Sequence, residues 1–154
     1  MATIEIIVGS VTGNAVEVAE ATAEYLRGLG HSSTVSFSYQ GEDLKARPES
    51  LLLVCTSTTG AGDLPANILP FYLHLTTAFP AIAGRYYNII TLGDSSYPTF
   101  AEAGKIMEAA LSDLGAVRLG EPLVIDAILS DSYTDDAIAW AQDWAPLLAE
   151  HSDD

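Results

Sequence analysis

The heptapeptide Leu51–Ser57, LLLVCTS, is apolar at each of its first five positions. A strand with one wet face alternates apolar and polar residues. A strand with no polar position must be covered on both faces, as a central strand of a parallel sheet is. Three further stretches read as strands: TIEIIV (Thr3–Val8), RYYNIITL (Arg85–Leu92) and EPLVIDAI (Glu121–Ile128). STVSFS (Ser33–Ser38) is a weaker, alternating one.

Helical patterns fill the intervals. From about Asn14 to Leu29, Glu17, Glu20 and Glu24 fall on one face and Val18, Thr22, Leu26 and Leu29 on the other. Asn67–Phe79 predicts a short helix, with Pro70 tolerated in its first turn. Thr99 and Glu102 have the spacing of a capping box, and Ala103, Ile106, Met107, Ala110, Leu111 and Leu114 then form an apolar stripe that Gly115 can close. A last helix is expected near Thr134, with Asp135 and Asp136 favouring its dipole. Ile138, Ala141, Trp144 and Leu148 form its buried face, and Pro146 is expected to kink or end it. Gly41–Ser50 reads as a polar connector. This alternation predicts one α/β domain over residues 1–154, a doubly wound parallel sheet with helices on both faces. In such sheets ligands bind beyond the carboxyl ends of the strands.

Three loops leave those ends: Gly9–Ala15 (GSVTGNA), Thr56–Asn67 (TSTTGAGDLPAN) and Leu92–Phe100 (LGDSSYPTF). All are rich in Gly, Ser and Thr. None contains any of the basic residues Arg27, Lys45, Arg47, Arg85, Lys105 and Arg118. A helix N-terminus holds a phosphate with backbone N–H groups alone. Ser10, Thr12 and Asn14 add side-chain donors, and Gly13 allows close approach of the backbone. The first loop lacks the Gly-Lys-Ser/Thr of a nucleotide triphosphate loop and the Gly-x-Gly-x-x-Gly of a dinucleotide fold. A phosphate monoester remains, with an ordinary strand–helix turn as the alternative.

The three loops, in this order, resemble the phosphate loop and the two flavin-flanking loops of flavodoxins. They are most similar to short-chain flavodoxins of the MioC type and to the FMN modules of diflavin reductases. The resemblance implies a five-stranded sheet of order 2-1-3-4-5 carrying FMN. It places Ser10, Val11, Thr12, Gly13, Asn14 and Ala15 around the phosphate, and Ser57, Thr58, Thr59 and Gly60 on the inner side of the isoalloxazine. It places Leu92, Gly93, Asp94, Tyr97 and Phe100 on the outer side, with Tyr97 stacking. Asp126 matches an acidic position near the ribityl chain or phosphate. Phe100 and Asp94 are also readable as a core residue and a turn residue. Two positions depart from the family: Ala15 stands where Thr is frequent, and Thr59 where an aromatic shield is frequent. A lost stacking partner costs about 0.5–1.5 kcal/mol of flavin affinity.

The chain has 6 Lys+Arg against 21 Asp+Glu, a formal charge of -15. Such a surface disfavours nucleic acid and anionic membranes and suits a basic-faced protein; it also suits solubility or high salt. Cys55 is the lone cysteine, which excludes an internal disulfide, and it reads as a small buried hydrophobe. His31, His74 and His151 are scattered, and no Ser–His–Asp pattern is visible, so neither a metal site nor a hydrolytic site is expected. No run approaches the ~18 apolar residues of a membrane span, and a cytoplasmic setting is expected. The leading expectation is a single-electron carrier between a separate flavin or iron–sulfur reductase and a basic-faced redox acceptor. The alternatives are an NADPH-dependent quinone or flavin oxidoreductase of this fold, and a flavin-free interaction module.

Overall fold

The computed structural model describes residues 2–10, 13–58, 63–96 and 100–150, the side chains of 149 and 150 excepted. In chain order the elements are β1 (Thr3–Gly9), α1 (Asn14–Gly28), β2 (Ser32–Ser36), α2 (Gly41–Ala46), β3 (Leu51–Ser57) and α3 (Leu69–Thr77). They continue with β4 (Tyr86–Gly93), α4 (Glu102–Asp113), β5 (Val117–Arg118), β6 (Leu123–Asp126) and α5 (Tyr133–Glu150). All pairings are parallel, in the order β2-β1-β3-β4, with β5 and β6 both on the outer edge of β4.

β3 shows why its sequence is apolar throughout. Leu51, Leu53 and Cys55 join Ile4, Ile6, Val8 and Ile90 against Val18 and Leu26 of α1 and Trp144 and Leu148 of α5. Leu52 and Val54 point the other way, with Ile7 and Ile89, onto Phe71 and Leu75 of α3 and Met107 and Leu111 of α4. Cross-strand register aligns the carboxyl ends: Gly9 pairs with Thr56, Thr56 with Thr91, and Gly93 with Asp126. Every loop leaving those ends therefore emerges along one edge of the sheet.

Several expectations needed correction. The polar stretch 41–50 contains a helix, α2, whose Gln40 side chain and Asp43 carboxylate form a reciprocal capping box. With Leu44 as its one buried residue, α2 has too little apolar pattern to show in the sequence. Leu29 caps α1 and is 43% exposed instead of lying on its buried face. α4 starts at Glu102 behind Ala101, a left-handed N-cap with φ 63°, and no side chain caps it; Thr99 lies outside the described residues. Glu102 is thus the first helical residue, not the third. α5 runs through Pro146, which is exposed along with Gln142, whose carbonyl loses its helical partner there and faces water instead.

The last strand is split into β5 and β6. Between them the carbonyls of Leu119 and Glu121 accept bonds from the buried Asn88 amide at 2.8 and 3.1 Å. Trp144 Nε1 reaches the same Leu119 carbonyl at 2.8 Å, and Trp140 Nε1 reaches that of Glu121 at 3.0 Å. Side chains replace the missing ladder.

At the opposite, amino-terminal edge lies a cluster no motif announced. Glu5, 2% exposed, accepts from Tyr39 (2.5 Å), Ser50 (2.7 Å), Arg85 (3.4 Å) and Arg47.

Candidate flavin site

The first loop starts where β1 ends. Ser10 N–H donates to Asn67 Oδ1 at 2.9 Å, and Gly13 N–H donates to Ser10 Oγ at 2.9 Å. Ser10 and Gly13 are thereby linked across the first loop. Gly13 has φ 96°, a left-handed conformation costly for a residue with a Cβ, and its carbonyl accepts the Glu17 N–H that starts α1. No side chain caps α1, so the N–H groups of its first turn face outward without a side-chain partner. Asn14 is exposed there. Ala15 is fully buried, its carbonyl accepting Cys55 Sγ–H at 3.4 Å. Burial pushes the Cys55 thiol far above its ordinary pKa, so it is a packing residue.

The second loop is fastened to both neighbours. Ser57 Oγ donates to Gly9 O at 3.5 Å, and Thr58 N–H donates to Leu92 O at 3.0 Å. Thr58 Oγ1 is buried yet has no hydrogen-bond partner among the described residues. An orphaned buried hydroxyl at the mouth of a sheet crevice is the kind of group a polar ligand satisfies.

The third loop opens from Leu92 and Gly93. Asp94 Oδ1 accepts from Ser96 N–H at 2.9 Å and from Ser96 Oγ at 2.5 Å, an Asx turn, so Asp94 does have its turn role. Asp126, at the end of β6, accepts Ser95 N–H at 3.1 Å and Ile128 N–H at 3.0 Å on one oxygen. The Ser95 hydroxyl first, then the Ile128 N–H, hold its carboxyl below the usual carboxylate range. Asp126 thus ties the third loop to the sheet edge. Phe100 is half-buried with its ring against Gly93.

Ser10, Gly13, Asn14, Ala15, Ser57, Thr58, Leu92, Gly93, Asp94, Phe100 and Asp126 therefore border one edge of the sheet. Val11, Thr12, Thr59, Gly60 and Tyr97 lie outside the described residues. Two of the histidines are elsewhere: His31 Nδ1 accepts Ala2 N–H at 3.2 Å, and His74 sits on α3 against Gly41; His151 lies outside the described residues. Among the described residues no group of three His, Cys, Asp or Glu is placed to hold a metal ion. Asn67 is the site residue the sequence did not single out. The sequence shows it only as the end of the second loop and the start of an expected helix, while its amide in fact reaches across to β1.

The donor set fits a phosphate monoester joined to a polar chain and a flat ring. Among the described residues it comprises the uncapped start of α1, the Ser10 hydroxyl and the buried, unpartnered Thr58 hydroxyl. A family model described as Flavodoxin matches residues 6–140. This chain belongs to the flavodoxin family.

The flavodoxin is 39% identical over 148 residues to "Flavodoxin YqcA" of Pectobacterium carotovorum subsp. carotovorum, covering 96% of this chain and 98% of the relative. It is 38% identical to "Protein MioC" of Escherichia coli K12, covering 96% and 99%. A C101A mutant of the flavodoxin from Pseudomonas aeruginosa has a similar solved structure, with a TM-score of 0.89, 34% identity and 96% and 99% coverage. Flavodoxins bind FMN and transfer electrons without being enzymes, and this flavodoxin is an FMN-binding electron carrier. Among the described residues no helix is long and apolar enough to cross a membrane.

Proposed function

We propose that residues 10–15 hold the FMN phosphate and that Ser57, Thr58, Thr59 and Gly60 flank the inner side of its ring. Leu92, Gly93, Asp94, Tyr97 and Phe100 flank the outer side, with Asp126 anchoring that loop. The observation that carries this reading is the buried Thr58 hydroxyl, unpartnered among the described residues, at the end of β3, the strand paired with the β1 that leads into the uncapped α1. Bound FMN supplies one-electron chemistry that side chains do not. The protein's part is to bind the phosphate with neutral donors, exclude water from the ring and set the local charge.

Reduction adds negative charge to the cofactor, so nearby carboxylates oppose it. A unit charge about 10 Å from another, at an effective dielectric near 40, costs about 0.8 kcal/mol. At about 59 mV per decade that is a few tens of millivolts. Asp94→Asn keeps an oxygen for the Ser96 N–H and removes the charge. The midpoint potential of its more negative one-electron step is expected to rise by a few tens of millivolts in a spectroelectrochemical titration. An unchanged potential removes Asp94 from this role.

We propose further that a separate flavin or iron–sulfur reductase loads the carrier in the cytoplasm and that a basic-faced redox protein unloads it. The charge of -15 supports this, because complementary charge raises encounter rates that salt then screens. Stopped-flow transfer to a basic acceptor is expected to slow steeply between low and high ionic strength. A rate indifferent to salt assigns the acidity to something other than docking.

A further inference from the structure

The phosphate loop is held from beneath by a residue of another segment. Asn67 lies between the second loop and α3, and its side chain makes three bonds to three parts of the chain. Oδ1 accepts Ser10 N–H at 2.9 Å, and Nδ2 donates to Val8 O at 2.7 Å and to Phe37 O at 3.0 Å. The adjoining Ile68 packs so tightly on Gly9 that a Cβ there would lie 2.8 Å from Ile68 Cγ2. An amide of this length offers one acceptor and two donors, and all are used.

We infer that Asn67 is the positioning residue that presets the phosphate loop, a reading that rests on residues 10–15 being that loop. Its acceptor takes the Ser10 N–H out of play and fixes the chain direction at the exit from β1. Ser10 Oγ is then set to accept Gly13 N–H, which leaves the hydroxyl hydrogen free to turn toward an anion. α1 itself has no side-chain cap, so the N–H groups of its first turn remain for a ligand. Because the two Nδ2 bonds end on Val8 and Phe37, the loop is tied to β1 and to the chain leaving β2 before any phosphate arrives. Asn67 itself acts through the loop and need not touch the cofactor.

FMN and riboflavin share the ring and differ by the phosphate, so they separate positioning from general damage. Kd values for both are measured by flavin fluorescence with the wild-type protein and with Asn67→Ala. The expected result is an FMN Kd raised about tenfold in Asn67→Ala and a riboflavin Kd unchanged. Equal losses for both ligands, or no loss for FMN, overturn the inference. Should the wild type itself bind the two equally, the phosphate-loop reading fails instead. Amide hydrogen exchange of FMN-free wild-type protein supplies a second test that needs no variant. Ser10 N–H is expected to be protected before FMN is added, and exchange at the rate of an unstructured peptide overturns the presetting.

Discussion

Replacing Arg85 by leucine lowers the unfolding free energy by about 3–5 kcal/mol, the largest effect expected of any single change outside the apolar core. The Arg85 guanidinium donates to Ser50 O at 2.8 Å, Leu44 O at 3.0 Å, Arg47 O at 2.7 Å and Ser50 Oγ at 2.6 Å. It also faces Glu5 Oε2 at 3.4 Å. Removing it takes a donor from three carbonyls, of which that of Arg47 keeps the Ser50 N–H and hydroxyl, and leaves the buried Glu5 carboxylate with Arg47, whose side chain is 52% exposed, as its remaining cation among the described residues. The cost is that of an uncompensated charge in the interior, not of a lost surface contact. Urea unfolding followed by circular dichroism measures it. Arg118→Leu, which breaks the half-exposed pair with Glu108, is the control and is expected to cost no more than about 1 kcal/mol. Adding Glu5→Gln to Arg85→Leu is expected to recover part of the loss, since the stranded charge is then gone. No recovery would place the cost in the carbonyls instead.

Gly104→Ala is expected to lower stability by about 1–3 kcal/mol and to weaken FMN binding as well. On propensity alone alanine is the better helix former by roughly 1 kcal/mol. Packing decides the other way: a Cβ on Gly104 would overlap Thr91 Oγ1 and lie 2.9 Å from Thr91 Cβ. Thr91 is part of β4 and cannot swing aside, so the first turns of α4 must lift off the sheet. That end of α4 follows directly on Phe100 and Ala101, so the loop proposed to flank the outer side of the flavin is expected to move with it. Thermal unfolding with an FMN titration reads both effects. Thr91→Ala combined with Gly104→Ala restores part of the loss if the clash is the cause, because it removes the Oγ1 overlap and leaves the Cβ contact, and the two sites then couple. Additive effects in that double variant would show that the helix has another reason to keep glycine.

The parallel sheet was legible because burial on both faces leaves a direct mark on composition, as Leu51–Cys55 shows. The three loops were legible because their chemistry is local: Gly, Ser and Thr gathered at strand ends. What stayed hidden depends on partners distant in sequence. α2 is held by its Gln40–Asp43 cap and a single buried leucine, and so shows no stripe. The break between β5 and β6 is possible because Asn88, Trp140 and Trp144 reach its carbonyls. Glu5 looks like the polar position of an alternating strand until Tyr39, Arg47, Ser50 and Arg85 are brought around it. Asn67 passes as an ordinary loop residue because its three partners lie 30 to 59 residues away.

One edge of this sheet is expected to enclose FMN through loops that contain no basic residue. Purified, flavin-stripped protein is titrated into micromolar FMN while flavin fluorescence is followed. Quenching that saturates at one FMN per chain is expected; fluorescence that stays constant throughout would contradict it.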